Sequence, residues 1–249
     1  MKRVVLITGV AGGIGSATAM VFAEAGWHVV GVDRKQLENL PGVAHYIPAD
    51  ISEPDAPKHI LGEITANEAQ LDALVNNAAI QICKPILEAT LEEWDLTMDS
   101  NVRSVFLTVR QAYPLLRTSC GAIVNVSSVH AVATSVGVAV YAASKGALLS
   151  LTRAMALELA KEKIRVNAVL PGAVDTPMLR NGLSRGHVIG SSMDELVLEL
   201  AKKHVLGRVG KPEEIGRTIL FLADNEQSSF ITGQAVIVDG GATARLSTE

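Results

Sequence analysis

The glycine-rich stretch near the start of the chain constrains the fold more than any other feature. Residues 4–7 are a short aliphatic run, residues 8–15 are rich in glycine, and residues 16–25 show the apolar spacing of a helix that ends at Gly26. This order predicts a buried strand, a tight turn and a helix whose N-terminus faces that turn. Glycines let a backbone approach a pyrophosphate closely, and a helix N-terminus attracts its negative charge. We therefore expect a dinucleotide to bind here.

Strands and helices alternate along the rest of the chain. Short apolar runs typical of strands occur at residues 28–32, 44–47, 71–75, 122–126, 165–170 and 235–238. Helical periodicity separates them, most clearly at residues 54–68, 91–116 and 213–223. Strands separated by helices indicate crossovers into a parallel sheet. We predict one α/β domain, residues 1–249, built as a Rossmann-type doubly wound parallel sheet with helices on both faces.

The segment 178–210 interrupts this alternation. It begins with a glycine-rich stretch, and Ser192 and Glu195 then show capping-box spacing before a short amphipathic helix. A flexible entry followed by such a helix suits a substrate lid over the strand ends. A plain surface insertion fits the same pattern.

Composition and charge weigh against several classes of partner. The formal net charge is −4 and the charges are scattered, so we expect no nucleic acid and no polybasic membrane contact. No apolar run reaches the ~18 residues of a membrane helix. Cys83 and Cys120 form no C-x-x-C pattern, which favours thiols in a reducing cytoplasm. The six histidines form no ligand-spaced pair, so we expect no metal.

The glycine spacing and a later acid together predict the cofactor. The pattern Gly9-x-x-x-Gly13-x-Gly15 is neither the strict G-x-G-x-x-G fingerprint nor a Walker motif. Asp33 lies 33 − 15 = 18 residues beyond the last glycine, close to the ~20 expected for a carboxylate that binds an adenosine ribose. Such a carboxylate repels a 2′-phosphate, so NAD is favoured over NADP. Arg34 could pair with that phosphate, which keeps NADP as the alternative.

Tyr141 and Lys145 are four residues apart in a helical stretch and therefore share one face. A nearby ammonium favours the phenolate, so we expect Lys145 to lower the pKa of Tyr141 from its reference value of about 10. The tyrosine could then exchange a proton nearer neutral pH. By itself, a tyrosine and a lysine at this spacing on a helix are more often a packed aromatic ring and a solvated amine than a catalytic pair.

Several motifs follow one another in a familiar order: Thr8-Gly9-x-x-x-Gly13-x-Gly15, Asn76-Asn77-Ala78-Ala79, Ser128, Tyr141-x-x-x-Lys145 and Pro171-Gly172. With these motifs the sequence resembles the short-chain dehydrogenase/reductase family, from the first strand to the Asp239-Gly240-Gly241 segment. The separation 141 − 128 = 13 also resembles the family's and selects Ser128 over Ser127. Ala79 stands where members commonly carry glycine.

The resemblance implies a catalytic site of serine, tyrosine, lysine and asparagine. Tyr141 would be the general acid in carbonyl reduction and the base in alcohol oxidation, and Lys145 would hold the nicotinamide ribose. Ser128 would bind the substrate oxygen, and Asn101 would fix a water that links Lys145 to solvent. The resemblance implies these further cofactor contacts: Ile14, Asp50, Ile51, Asn77, Ala78, Ala79, Val174 and Thr176.

Gln81 and His130 are the candidate substrate contacts. They match positions that bind a carboxylate in 3-hydroxybutyrate dehydrogenases, which the sequence also resembles at residues 239–245. Those enzymes add a lysine where this chain has Val138, and a Ser-x-His also occurs in glucose-dehydrogenase-like members. Neutral core or loop roles for Gln81 and His130 therefore remain open.

Together, these features predict an NAD-dependent oxidoreductase that interconverts a secondary alcohol and a ketone on a small polar molecule such as a hydroxy acid, sugar or polyol. One alternative is an NADP-dependent reductase of 3-oxoacyl thioesters. Another is a non-catalytic, cofactor-binding regulator, which would predict loss of Ser128, Tyr141 or Lys145. The resemblance further implies a homotetramer assembled through residues 91–116, 148–159 and 235–241.

Overall fold

One parallel sheet organises the molecule, a computed structural model that describes residues 2–68, 70–184, 186 and 188–244. His187, one of the six histidines, and Arg245, the last residue of the stretch that resembles 3-hydroxybutyrate dehydrogenases, lie outside the described residues. The strands are β1 Val4–Thr8, β2 His28–Asp33, β3 His45–Pro48, β4 Ala73–Asn76, β5 Ala122–Val126, β6 Arg165–Pro171 and β7 Ala235–Val238. Their order across the sheet is β3-β2-β1-β4-β5-β6-β7, and each neighbouring pair is parallel.

Helices connect the strands and cover both faces of the sheet. They are α1 Gly13–Glu24, α2 Ala56–Asn67, α3 Leu91–Met98, α4 Ser104–Ser119, α5 Ala139–Leu159, α6 Pro177–Leu183, α7 Met193–Ala201, α8 Pro212–Ala223 and α9 Asn225–Ser228. Short 3-10 turns at Val129–Ala131 and Ala160–Glu162 accompany them. The Rossmann-type doubly wound fold predicted from the sequence is confirmed.

The strands are buried on both faces, as their continuous aliphatic runs require. Leu6 of β1 belongs to a core that includes residues of α2, α4 and α5. Its neighbour Ile7 points to the opposite face and belongs to a second core with residues of α1 and α8. Successive side chains of a strand alternate between faces, so one aliphatic run supplies both cores.

The helix predicted over residues 91–116 is interrupted near its middle. Residues Asp99–Arg103 form a π-helical turn between α3 and α4, and the Ser104 N–H donates to the Asp99 carbonyl. Ser100 and Asn101 are both buried in this turn. The prediction of one regular helix was therefore wrong at Asn101, where the wider turn accommodates a buried polar side chain.

The entry to the segment 178–210 is also more ordered than predicted. Thr176 caps α6, because its side chain accepts a hydrogen bond of 3.2 Å from the Leu179 N–H, and Pro177 occupies the first turn. Threonine at the cap with proline behind it is a favourable helix start. Among the described residues, no helix has the length and apolar character needed to cross a membrane.

Candidate active site

The order of the strands fixes where a ligand can bind. The chain builds β1, β2 and β3 towards one edge of the sheet and then returns to place β4 on the other side of β1. In open parallel sheets, ligands bind beyond the carboxyl ends of the strands at this reversal. The loops that follow β1 and β4 carry the glycine motif and the Asn76-Asn77-Ala78-Ala79 motif.

The glycine loop is held tightly against the loop after β4. Gly9 has a positive φ of +69°, and a Cβ there would lie 2.7 Å from the Ala78 Cα. A Cβ on Gly15 would lie only 2.1 Å from the Gly9 carbonyl oxygen. The Asn77 side-chain amide donates to the Thr8 and Gly9 carbonyls at 2.9 and 3.1 Å. No larger residue fits at Gly9 or Gly15 without moving the backbone.

The first turn of α1 faces the cleft formed by these loops. Its N-cap residue is Gly12, and no side chain caps the helix there. Gly13 stands against Thr176, since a Cβ on Gly13 would lie 2.6 Å from the Thr176 Cγ2. The uncapped N–H groups and the close glycine backbone fit the pyrophosphate of a dinucleotide.

The Asp33 carboxylate lies at the other end of the same cleft. It accepts a hydrogen bond of 3.1 Å from the Ala11 N–H and one of 3.2 Å from the Lys35 N–H. The Tyr46 hydroxyl donates to the Asp33 carbonyl at 3.2 Å. Burial, aided by the nearby Asp33 charge, raises the pKa of Tyr46. Arg34 and Lys35 also line the cleft, so cations stand beside this carboxylate.

The cleft has a volume of about 660 Å³, within the range of small-molecule and cofactor sites. It brings together every site residue predicted from the sequence except Asn101: Gly9, Gly13, Ile14, Gly15, Asp33, Asp50, Ile51, Asn77, Ala78, Ala79, Gln81, Ser128, His130, Tyr141, Lys145, Val174 and Thr176. Ala79 is not among the described non-glycine residues with positive φ, which are Cys120 and Lys163. The backbone at this position therefore accommodates alanine without strain.

Tyr141 and Lys145 are both buried, with 7% and 2% of their surface exposed. The Lys145 Nζ donates to the Val126 carbonyl at 2.8 Å and lies 5.6 Å from the centre of the Tyr141 ring. The Ser127 hydroxyl donates to the Lys145 carbonyl at 2.9 Å. The end of β5 thus fixes the lysine from both its main chain and its side chain.

Burial sets the pKa of both groups. Burial raises the pKa of Tyr141 to about 12. A hydrogen bond with Ser128 lowers this pKa by a smaller amount, and the nearby Cys83 adds a still smaller increase. Burial lowers the pKa of Lys145 to about 7. The expectation that the ammonium lowers the tyrosine pKa is wrong for the protein alone, because burial favours the neutral form of each group.

Asn101 lies behind the cleft and does not line it. Its side-chain oxygen accepts from the Ile80 N–H at 2.9 Å, and its amide donates to the Ile80 carbonyl at 2.9 Å and to the Ser144 hydroxyl at 3.0 Å. The Ser144 hydroxyl in turn donates to the Tyr141 carbonyl at 2.7 Å. Asn101 therefore ties the loop after β4 to the helix that carries the tyrosine and lysine.

The predicted substrate contacts flank the tyrosine. The His130 ring meets the Tyr141 ring edge-on with 5.8 Å between centres, and its Nδ1 lies 3.1 Å from the Thr134 hydroxyl. The His130 N–H donates to the Ser128 hydroxyl at 3.2 Å. Gln81 lies under α6, since a Cβ on Gly182 would be 3.5 Å from the Gln81 Oε1.

The sequence did not single out several residues that line the cleft from the segment 178–210 and the C-terminal region. These include Leu200, Lys203, His204 and Ala242. The apolar spacing of Leu196 and Leu200 marks one side of α7, but it does not reveal where the helix lies. Within the described residues, no group of three or more His, Cys, Asp or Glu side chains is placed to hold a metal ion.

Comparison with known proteins identifies the family. A family model described as Enoyl-(Acyl carrier protein) reductase matches residues 9–243. This match covers most of the chain and therefore establishes its family. The chain belongs to the short-chain dehydrogenase/reductase family. As a member, it is an oxidoreductase of CH–OH groups and carbonyls, and the family uses NAD or NADP with small-molecule substrates.

Three similar proteins illustrate the range of the family. The chain is 37% identical to a 3-oxoacyl-(acyl-carrier-protein) reductase of Thermotoga maritima, over 96% of this chain and 97% of the relative. It is 36% identical to a cyclopentanol dehydrogenase of Comamonas sp., over 97% of each chain. The ligand-free structure of the Thermoplasma acidophilum aldohexose dehydrogenase is 32% identical with a TM-score of 0.92, over 99% of this chain and 96% of that one.

Proposed function

We propose that this short-chain dehydrogenase/reductase is NAD-dependent and interconverts a secondary alcohol and a ketone on a small polar substrate. The observation that carries the proposal is that Ser128, Tyr141 and Lys145 line the same cleft as the glycine loop and Asp33. Proton transfer and cofactor binding can therefore occur side by side. The proposed site combines Ser128, Tyr141 and Lys145 with Asn101 behind them.

The cofactor would occupy the cleft from Asp33 to Tyr141. Its pyrophosphate would rest on the glycine loop and the N-terminus of α1, and its adenosine would lie against Asp33 and the Asp50-Ile51 pair. The remaining contacts would come from Ile14, Asn77, Ala78, Ala79, Val174, Thr176, Tyr141 and Lys145. When bound, the nicotinamide ring supplies or accepts the hydride.

The chain's own residues would handle the proton and the substrate oxygen. The Tyr141 hydroxyl gives its proton to the carbonyl oxygen in reduction and takes it from the alcohol in oxidation. The Ser128 hydroxyl holds the same oxygen and stabilises the charge that develops on it. Lys145 would hold the nicotinamide ribose and pass protons onward. Its burial and its bond to the Val126 carbonyl keep the amine in one place.

Asn101 would act as a positioning residue and fix the water that links Lys145 to solvent. Its hydrogen bonds to Ile80 and Ser144 support the positioning role. The π-helical turn around it supports a functional role, because such turns occur frequently at functional sites.

The preference for NAD rests on the Asp33 carboxylate, which two backbone N–H groups hold in place. A negative charge there repels the 2′-phosphate of NADP. Arg34 and Lys35 line the same end of the cleft and favour the alternative cofactor. Measuring kcat/KM with NAD and with NADP on one substrate tests the proposal, and a clear NADP preference would contradict it.

The second candidate function is an NADP-dependent reductase of 3-oxoacyl thioesters. The 37% identity to the Thermotoga maritima reductase and the two cations after Asp33 favour it. A non-catalytic regulator is disfavoured, because Ser128, Tyr141 and Lys145 are all present. A panel of hydroxy acids, sugars, polyols and acyl thioesters, followed by the absorbance of the reduced cofactor, separates the three candidates.

We also propose the segment 178–210 as a substrate lid. Gly182 of α6 lies over Gln81, and the lid helices contribute Met178, Leu183 and Leu200 to the lining of the cleft. Apolar side chains brought over a reacting centre would exclude water from it. Proteolysis within this segment should slow when cofactor and substrate bind together, and an unchanged rate would count against a lid.

A homotetramer in the cytoplasm completes the proposal. Phe106 of α4 and Leu157 of α5 are 46% and 83% exposed, and Phe230, close before β7, is fully exposed. Exposed apolar side chains on these surfaces suit contacts between copies of the chain. Cys83 and Cys120 are present as thiols, which suits a reducing compartment. Sedimentation at micromolar concentration tests the assembly, and a monomer would contradict it.

A further inference from the structure

The turn after β2 holds the carboxylate on which the choice between NAD and NADP would depend. Asp33 ends the strand, and Arg34 and Lys35 follow it as exposed residues. One oxygen of the Asp33 carboxylate accepts from the Ala11 N–H at 3.1 Å, and the other accepts from the Lys35 N–H at 3.2 Å. The direction of this carboxylate therefore depends on the glycine loop and on the position of residue 35.

Tyr46 of β3 anchors this turn through its hydroxyl. The hydroxyl contacts the Asp33 carbonyl at 3.2 Å and also the Lys35 carbonyl. A phenol has one proton, so the two carbonyls share it in a three-centre hydrogen bond. The Asp33 carbonyl also accepts from the Ala49 N–H at 2.9 Å. Within the described residues, the Tyr46 hydroxyl is the only donor that reaches the Lys35 carbonyl.

The register of the sheet gives the tyrosine its place. β2 and β3 are parallel, and Tyr46 stands opposite Gly31. Gly31 is closed off by Val10, since a Cβ on this glycine would lie 2.8 Å from the Val10 Cγ1. The half-buried Tyr46 ring packs against the same core as Val10. A ring held by the core gives its hydroxyl a defined position at the turn.

The Tyr46 hydroxyl remains a hydrogen-bond donor at neutral pH. Burial, followed by the nearby Asp33 charge, raises the pKa of Tyr46 above its usual value of 10.0. The phenol therefore keeps its proton in the pH range in which a dinucleotide would bind. The contact with the turn is lost only if the oxygen itself is removed.

We propose that Tyr46 is a positioning residue for cofactor choice and that it acts through the Asp33 carboxylate. Its hydroxyl holds residue 35, and residue 35 holds the carboxylate towards the adenosine ribose. Without this hydroxyl, NAD would lose an acceptor for its ribose and NADP would meet less repulsion. The inference rests on the proposed NAD preference and adds to it a residue that does not line the cleft.

The first test is Tyr46→Phe, which keeps the ring and removes one oxygen. On one substrate, the ratio of kcat/KM with NAD to kcat/KM with NADP should fall about threefold to tenfold, as expected for loss of one neutral hydrogen bond. The change should lie in the cofactor KM, with kcat at saturating NAD retained. Tyr113→Phe is the matched control, because this tyrosine of α4 does not line the cleft, and its ratio should equal that of the wild type.

The second test asks whether the hydroxyl acts through Asp33. In an Asp33→Ser background, adding Tyr46→Phe should leave the cofactor ratio unchanged to within about twofold, because the carboxylate that the hydroxyl positions is absent. A fall as large as the one in the wild-type background would show that Tyr46 acts on another group, and it would overturn the inference.

Calorimetric titration with 5′-AMP and with adenosine 2′,5′-bisphosphate separates this inference from the proposed function, since neither ligand requires turnover. The wild type should bind 5′-AMP more tightly, and Tyr46→Phe should narrow the difference about threefold to tenfold. If the wild type prefers the bisphosphate, the proposed NAD preference fails and this inference fails with it. If the wild type prefers 5′-AMP but Tyr46→Phe keeps the same ratio of affinities, only the inference fails.

Discussion

Replacing Lys145 with methionine should make the protein more stable at neutral pH even though it damages the proposed site. The side chain is 2% exposed, and its Nζ has the Val126 carbonyl as a hydrogen-bond partner. Methionine fills a similar volume without a group that must lose its charge on burial. The native protein therefore keeps this amine at the expense of folding stability.

The lowered pKa of Lys145 sets the size of the effect. Burial lowers it from 10.5 to about 7, a fall of 10.5 − 7 = 3.5. At about 1.36 kcal/mol per pKa unit, this reduces the free energy of unfolding at pH 7 by roughly 4 kcal/mol. Methionine leaves the Val126 carbonyl without its donor, which costs about 1–3 kcal/mol. The net gain at pH 7 is about 1–3 kcal/mol.

The sign of the pH dependence follows from proton binding. Between pH 7 and 10.5 the unfolded chain holds a proton on Lys145 that the native protein releases, so wild-type stability rises with pH. The gain from Lys145→Met should therefore shrink by about 2 kcal/mol between pH 7 and 9. Burial raises the pKa of Tyr141 from 10.0 to about 12. The tyrosine therefore begins to lower the free energy of unfolding only as the pH rises above about 10.

Urea unfolding at pH 7, 8 and 9 measures this difference. Protein concentration must be matched, because assembly of copies would add to stability. Lys161→Met, at an exposed lysine, is the control and should run parallel to wild type. If the stability difference between Lys145→Met and wild type stays constant from pH 7 to 9, the buried lysine does not have a lowered pKa.

Three further variants test other parts of the site. Asp33→Ser should lower kcat/KM for NAD and raise it for NADP, because the repelling carboxylate is gone, and an unchanged ratio would contradict its role. Gly15→Ala should abolish cofactor binding in a fluorescence titration, since its Cβ would lie 2.1 Å from the Gly9 carbonyl oxygen, and normal affinity would refute the tight loop. Asn101→Ala should lower kcat at least tenfold and reduce the free energy of unfolding by about 2 kcal/mol, because it removes the hydrogen bonds to Ile80 and Ser144. A wild-type kcat together with wild-type stability would show that the π-helical turn needs no asparagine.

The parts of the fold that depend on local pattern could be predicted from the sequence. The aliphatic run ending at Thr8 and the glycines after it define β1, its turn and α1, and the same alternation gives the other strands. Because the carboxyl ends of parallel strands share one edge, residues far apart in sequence were expected in one cleft. The position of Asp33 at the end of β2 follows from the same geometry.

The features that depend on tertiary packing could not be predicted in this way. A π-helical turn changes the apolar spacing of residues 91–116 too little to be recognised in the sequence. It becomes visible only in the structure, where Asn101 is buried and hydrogen-bonded to Ile80. The pKa of Tyr141 depends on burial, which its spacing from Lys145 does not report. Lys203 lines the cleft together with Leu200 of α7, a position that depends on where this helix packs. The start of α6, by contrast, could have been predicted, because Thr176 followed by Pro177 is a local sequence signal for a helix N-terminus.

Tyr141 is proposed to move the proton in the reaction at this cleft. Tyr141→Phe keeps the ring and removes only the hydroxyl, and Tyr113→Phe in α4 is the matched control. On the best alcohol substrate, Tyr141→Phe should lower kcat by at least the ~10²-fold typical of general acid–base catalysis, with NAD affinity unchanged. Tyr113→Phe should retain near-normal turnover. Near-normal turnover by Tyr141→Phe itself would contradict the account.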